Sequence, residues 1–158
     1  MTYNSSQIFN HQSLSTNCNT QTINTTEQLV SGSEIIYTPY PNTDYVVYEF
    51  NFCQSYNGIH STTNGNYYLQ TGSIGGSYDS VTGYQCNFGI YQQYFRDLKN
   101  ICFIIPAWSG PKKIRLTSDT YASDRTYKIH ETWGWGSDES DHRNYNASLE
   151  IYSIRNVD

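Results

Sequence analysis

"YVVYEFNFC", Tyr45 to Cys53, is the stretch that decides the fold. Val46, Tyr48, Phe50 and Phe52 share one parity, while Glu49 and Asn51 hold the other. Successive side chains of a strand point to opposite faces, so this alternation predicts a strand buried on one side only. The same period of two returns along the chain. "GYQCNFGIYQ" (83–92) aligns Tyr84, Cys86, Phe88 and Ile90, and "KKIRLTS" (112–118) sets Ile114 and Leu116 against Lys113 and Arg115. "RTYKIHETW" (125–133) turns Tyr127 and Ile129 inward and His130 outward; "NASLEIYSI" (146–154) turns in Ala147, Leu149 and Ile151. "NICFIIPAW" (100–108) is apolar without interruption and reads as a central strand covered on both faces.

Weaker strands are expected at Gln21–Val30, Glu34–Thr38 and Asn66–Gln70, and a helical turn or two only at Tyr91–Lys99. Turn residues punctuate these runs: Pro39, Pro41, Asn57-Gly58, Asn64-Gly65, Gly75-Gly76 and Gly110-Pro111. Many short alternating runs at such spacing predict an all-β chain, an antiparallel jelly-roll β-sandwich of about eight to ten strands. Residues 1–20, rich in Asn, Ser, Thr and Gln, show no apolar period. They are expected to form an extended N-terminal arm that adds little to the fold, with the sandwich domain at 21–158.

The 158 residues suffice for one domain with a substantial core. Mean hydropathy is −0.65, yet aromatic residues make up 16% of the chain, which argues against extensive disorder. Charged residues are only 15%, below the usual quarter or so; neutral polar residues and sixteen tyrosines take their place. Such a surface suits an extracellular or virion-exposed protein. All nine basic residues lie at or after Arg96, and residues 1–95 carry five acids. No basic stripe exists to track phosphates, so nucleic-acid binding is not expected. No run approaches the roughly 20 apolar residues of a membrane span, and the start lacks the basic and apolar regions of a secretory signal.

Cys18, Cys53, Cys86 and Cys102 have none of the close spacings of zinc or redox motifs, and those in strands read as buried thiols, with disulfides as the alternative. The chain has no GxxxxGK[ST], HExxH, GxSxG or EF-hand signature. "GSIGGS" (72–77) reads as a loop between strands, since no helix follows it to hold a phosphate. Nothing sets His11, His60 or His130 beside a nucleophile, so no catalytic residue is assigned and the chain is read as non-enzymatic. The sequons at Asn4, Asn24 and Asn146 are what chance gives in a chain so rich in Asn, Ser and Thr.

The best site candidate lies in "WGWGSDESDH", Trp133 to His142. Gly134 and Gly136 are expected to bend the chain, leaving Trp135 on a loop ahead of Asp138, Glu139, Asp141 and His142. An exposed indole stacks on the apolar face of a pyranose while carboxylates accept from its hydroxyls, so Trp135, Asp138, Asp141 and His142 are the candidate glycan ligands. Asp138, Glu139 and Asp141 could hold a divalent cation such as calcium through hard oxygen ligands, or form a solvated acidic loop. No other cofactor is expected. If the strand parity ran on, Glu131 would be buried and need a partner, with Arg115, Arg125 or a group across a subunit boundary as candidates.

The C-terminal third, "SGPKKIRLTSDTYASDRTYKIHETWGWGSDESDHRNYNASLEIYSI", resembles the closing segment of C1q/TNF-like jelly-roll heads in phage and large-virus fibre and spike proteins. A basic strand, a Tyr/Ser-rich turn, a strand with a His/Glu pair, an aromatic-Gly loop and a final apolar strand follow in the order of those heads. "SGSEIIYTPYPNTDYVVYEFNF" (31–52) is similar to their early strands. The resemblance covers about half the chain and implies a homotrimer on a virion surface that attaches to a host-surface glycan or receptor. The fibre shaft and collagen-like repeat are missing, so contact with other virion proteins would fall to residues 1–20. Sixteen tyrosines independently favour an interface, because an enclosed phenol needs a polar partner and tyrosine is enriched where proteins meet. Two alternatives are a free-standing carbohydrate-binding module or lectin, extracellular, and a purely structural minor capsid protein.

Overall fold

A computed structural model describes residues 5–56, 63–90, 95–122, 125–132, 143–144 and 146–157. All its regular elements are strands: β1 Ser5–Asn17, β2 Gln21–Ile23, β3 Gln28–Leu29, β4 Ile35–Tyr37, β5 Tyr45–Tyr56, β6 Thr63–Ser73, β7 Asp79–Ile90, β8 Phe95–Pro106, β9 Lys112–Thr120, β10 Tyr127–Ile129, β11 Glu131–Thr132, β12 Arg143–Asn144 and β13 Asn146–Val157. A six-stranded sheet runs β1-β13-β5-β10-β2, with β8 on the other side of β5; a five-stranded sheet runs β3-β9-β6-β7, with β4 also on β9. Every pairing is antiparallel. The two sheets form a β-sandwich. Its strands outnumber the eight to ten expected because the weak segments break into pieces of two or three residues.

The deciding stretch behaves as its alternation requires. Val46, Tyr48, Phe50 and Phe52 are fully buried, and so are Leu149, Ile151, Tyr127 and Ile129 from the neighbouring strands. They meet Ile114 and Leu116 of β9 and Tyr67 and Leu69 of β6 in one continuous core. On β7, Tyr84, Cys86 and Phe88 pack on the rim of that core. Gly65 of β6 admits the Tyr127 ring: a Cβ there would lie 2.8 Å from the phenol carbon and oxygen. "GSIGGS" is the turn from β6 to β7, where Gly75 takes a left-handed φ of 77° that favours glycine.

Four expectations are corrected. First, residues 5–17 are not an arm outside the sheet: β1 pairs with β13 from Ser5↔Val157 to Asn17↔Asn146. Its side chains remain mostly outside, with Ile8 62% and Leu14 42% exposed. An edge strand can be held by its backbone alone, which leaves no apolar period to read. Phe9 stacks on Tyr40 at 4.8 Å, and Arg155 lies over Phe9 while donating to the Pro41 and Asn42 carbonyls. Second, among the described residues β8 pairs with β5 alone and so stands at the sheet edge. Ile101, Phe103 and Ile105 are buried while Leu98, Cys102 and Ile104 face out, so the unbroken apolar run covers only one face with core. Third, residues 95–99 belong to β8 and not to a helical turn; residues 91–94 of that expectation lie outside the described ones. Fourth, Cys102 is an exposed thiol, whereas Cys53 is buried and Cys86 half-buried; Cys18, outside the strands, is buried too.

Candidate functional site

The candidate residues Trp135, Asp138, Glu139, Asp141 and His142 lie outside the described residues, and so does Trp133. What is described is the footing of that segment. β11 and β12, on either side of residues 133–142, pair through Glu131↔Asn144 and Thr132↔Arg143. The chain leaves the six-stranded sheet at His130, whose φ is 64°. That left-handed step breaks the strand parity three residues ahead of Trp133. It turns the His130 ring into the core, fully buried against Phe50 and Phe52, where simple alternation would face it outward. Glu131 is 3% exposed and has Lys128 as a partner, a cation other than the two expected. Lys128 Nζ lies 2.8 Å from one carboxylate oxygen and the Ser55 hydroxyl donates to the other at 3.2 Å. The buried Cys53 thiol donates to the Glu131 carbonyl. The footing is thus fixed by a paired, hydrogen-bonded carboxylate, the arrangement that makes a buried charge tolerable.

The outer face of the five-stranded sheet is polar and aromatic. Tyr78 lies beneath two cations, with Lys113 4.0 Å and Arg115 3.7 Å from its ring centre, and its hydroxyl donates to Glu34. Burial first, then the hydrogen bond and charge of Glu34, push the Tyr78 phenol up to about 12. Arg115 also donates to Gln70, which donates in turn to Glu27. Beside them Asn87 donates to Asn66, and Asn66 and Tyr68 both donate to Asp119. Two aromatic rings, two cations, three carboxylates and three amides therefore share one surface. The alternation of Lys113 and Arg115 against Ile114 and Leu116 locates the cations in the sequence, but Tyr78 precedes its strand and carries no periodic signal.

The outer face of the six-stranded sheet is different in kind. Across its register lie Ile8, Ile154, Tyr45 and Pro106 in one row and Tyr152, Val47 and Ile104 in the next. Ile8, Tyr45 and Ile104 are 62%, 41% and 54% exposed. The row beyond is acidic: Glu150 stands directly opposite Glu49, and Glu49 opposite Cys102. His11 Nε2 lies 3.5 Å from Glu150 and its ring meets Tyr152 edge-on. Burial and then Glu49 raise the Cys102 thiol, and burial pushes Cys86 up to about 11. Both move away from the thiolate that a nucleophile or metal ligand needs.

Among the described residues no group of three or more His, Cys, Asp or Glu side chains is placed to hold a metal ion, and no helix is long and apolar enough to cross a membrane. Compared with known proteins, the chain matches no protein-family model and no curated protein.

Proposed function

We propose that this chain is a non-enzymatic virion surface protein, the homotrimeric head of a fibre or spike, which attaches to a host surface by binding glycan. The observation that carries the reading is the outer face of the six-stranded sheet. Ile8, Tyr45, Ile104, Pro106, Tyr152 and Ile154, gathered around the buried Val47, form adjoining rows on a β-sandwich face that no other described element covers. Contiguous apolar surface of this kind marks a contact with another chain, and a closed homo-oligomer buries it in every copy. The strand order supports the jelly-roll reading, with β1-β13-β5-β8 on one side and β4-β9-β6-β7 on the other. Contact with other virion proteins falls to residues 1–20, of which β1 stands at the sheet edge with β13 on one side. The glycan is assigned to Trp135, Asp138, Asp141 and His142, on the segment footed by β11 and β12; a calcium ion at Asp138, Glu139 and Asp141 is a subordinate part of the same proposal.

Sedimentation equilibrium tests the assembly. A trimer is expected that survives high salt, because ion pairs at an interface rim contribute at most about 1 kcal/mol each. Ile104→Lys is expected to give a folded monomer. A wild-type chain that stays monomeric at every concentration would remove the proposal, and a glycan array then tests attachment. The polar, aromatic outer face of the five-stranded sheet favours the second reading, an extracellular carbohydrate-binding module. A monomer whose glycan binding is lost in Arg115→Ala, with Trp135→Ala unaffected, would establish that alternative.

A further inference from the structure

His130 combines three features that rarely coincide in a residue with no function. Its side chain is fully buried, its φ of 64° is one that a residue with a Cβ seldom adopts outside a site that enforces it, and its Nδ1 has no hydrogen-bond partner among the described residues. Nε2 lies 3.0 Å from the Ser31 carbonyl. A carbonyl only accepts, so Nε2 carries the proton and Nδ1 is a bare lone pair. The backbone N–H of His130 donates to the Cys53 carbonyl at 2.8 Å, and the ring stands edge-on to Phe50 and Phe52. His130 is also the single residue between β10, which belongs to the six-stranded sheet, and β11, which belongs to the separate hairpin.

We propose that His130 is a proton-operated latch: neutral, it holds the β10–β11 junction against the sandwich, and protonated, it lets that junction go. A proton on Nδ1 would place a charged donor against phenyl rings with no acceptor to receive it. Among the described residues the charged and polar neighbours already have partners of their own. From β10 and β11 the charged side chains are Lys128 and Glu131, which are paired with each other. From β5 come Phe50, Phe52 and the Cys53 carbonyl, with the Cys53 thiol turned to the Glu131 carbonyl. The turn after β3 supplies the Ser31 carbonyl, and the Tyr48 hydroxyl nearby is spent on the Ser33 carbonyl. Burial lowers the affinity of the imidazole for a proton, and only the bond to Ser31 opposes it.

The sign follows by linkage. The released chain takes up a proton near the ordinary histidine value of about 6.5, whereas the latched ring takes it up only at lower pH. The closed state is therefore fully favoured above about 6.5 and is progressively lost as pH falls through and below it. Between pH 7.5 and 5.5 a single histidine can shift the opening equilibrium by at most about tenfold, the limit set by one site that binds a proton only when released. The inference rests on the core geometry alone and is independent of any role in attachment.

Two measurements on the full chain test it. The first is hydrogen exchange over residues 125–146 at pH 7.5 and 5.5, corrected for intrinsic rates. The second is fluorescence of Trp133 and Trp135 in a Trp108→Phe background. Both are expected to report opening of up to about tenfold in acid while the amides of β5, β9 and β13 stay protected. His130→Asn, which tolerates the left-handed backbone but does not titrate in this range, is expected to abolish the pH dependence. An unchanged response in that variant overturns the latch, as does wild-type protection that is flat with pH or lost throughout the sheets at once. Should the variant fail to fold, direct NMR titration of the His130 ring decides: a value at or above the ordinary one refutes the proposal, and a value clearly below it supports it.

Discussion

Ser118 and Tyr127 share a buried hydrogen bond of 2.5 Å, and the direction of that bond predicts an unequal response to removing either end. Ser118 has one hydroxyl hydrogen, and its geometry directs it to the Asn66 carbonyl at 2.6 Å. Tyr127 must therefore be the donor to Ser118. Tyr127→Phe removes one donor and leaves Ser118 with its own donation intact, at a cost of about 1 kcal/mol. Ser118→Ala removes both bonds and leaves the Tyr127 hydroxyl, in a residue 1% exposed, with the Tyr67 hydroxyl as its remaining partner, at a cost of about 2 kcal/mol, roughly one for each bond lost. For a chain of this size about 1 kcal/mol lowers Tm by about 2–4 °C, so the serine variant should melt markedly lower. Combining both changes should cost little more than Ser118→Ala alone, because the bond between the two hydroxyls can be lost only once. Denaturant unfolding followed by circular dichroism, at one fixed protein concentration, measures all three. Equal losses in the single variants, or a double variant equal to their sum, would refute the assigned direction.

Gly65→Ala should destabilise by about 1–3 kcal/mol, as overpacking does, because the new Cβ would meet the Tyr127 ring at 2.8 Å; combining it with Tyr127→Leu should recover part of the loss in the same unfolding assay. Deleting residues 1–17 strips the β13 edge of its partner strand, so thermal unfolding should show a clear fall in Tm. An unchanged Tm would mean that β1 is dispensable. Trp135→Ala should leave Tm in place and abolish glycan binding on an array, whereas a large fall in Tm would make Trp135 a core residue. Should calcium and a chelator leave the wild-type Tm alike, no cation is held by Asp138, Glu139 and Asp141; if calcium raises it, Asp138→Asn and Asp141→Asn should each remove the increment.

Much of the fold is legible in the chain because a half-buried strand must alternate. Val46 to Phe52, Ile114 and Leu116, Tyr127 and Ile129, and Ala147 to Ile151 all face where their parity puts them. Parity fails where the backbone leaves the strand conformation. His130 turns inward because its φ is left-handed; histidine takes such a φ more readily than most residues, but most histidines do not, so residue type alone does not place the turn. Pairing partners were equally hidden. Glu131 announces by its position that it needs a cation, yet only the turn after β10 brings Lys128 to it while Arg115 is turned away onto Tyr78. Composition located an Asn- and Ser-rich beginning without an apolar period, but edge pairing is a backbone interaction and leaves no trace in side-chain pattern. Likewise "NICFIIPAW" fixes a strand and its apolar character. Whether both its faces would be covered depended on which strands the chain laid beside it, and tertiary structure gave it β5 on one side and left Leu98, Cys102 and Ile104 facing out.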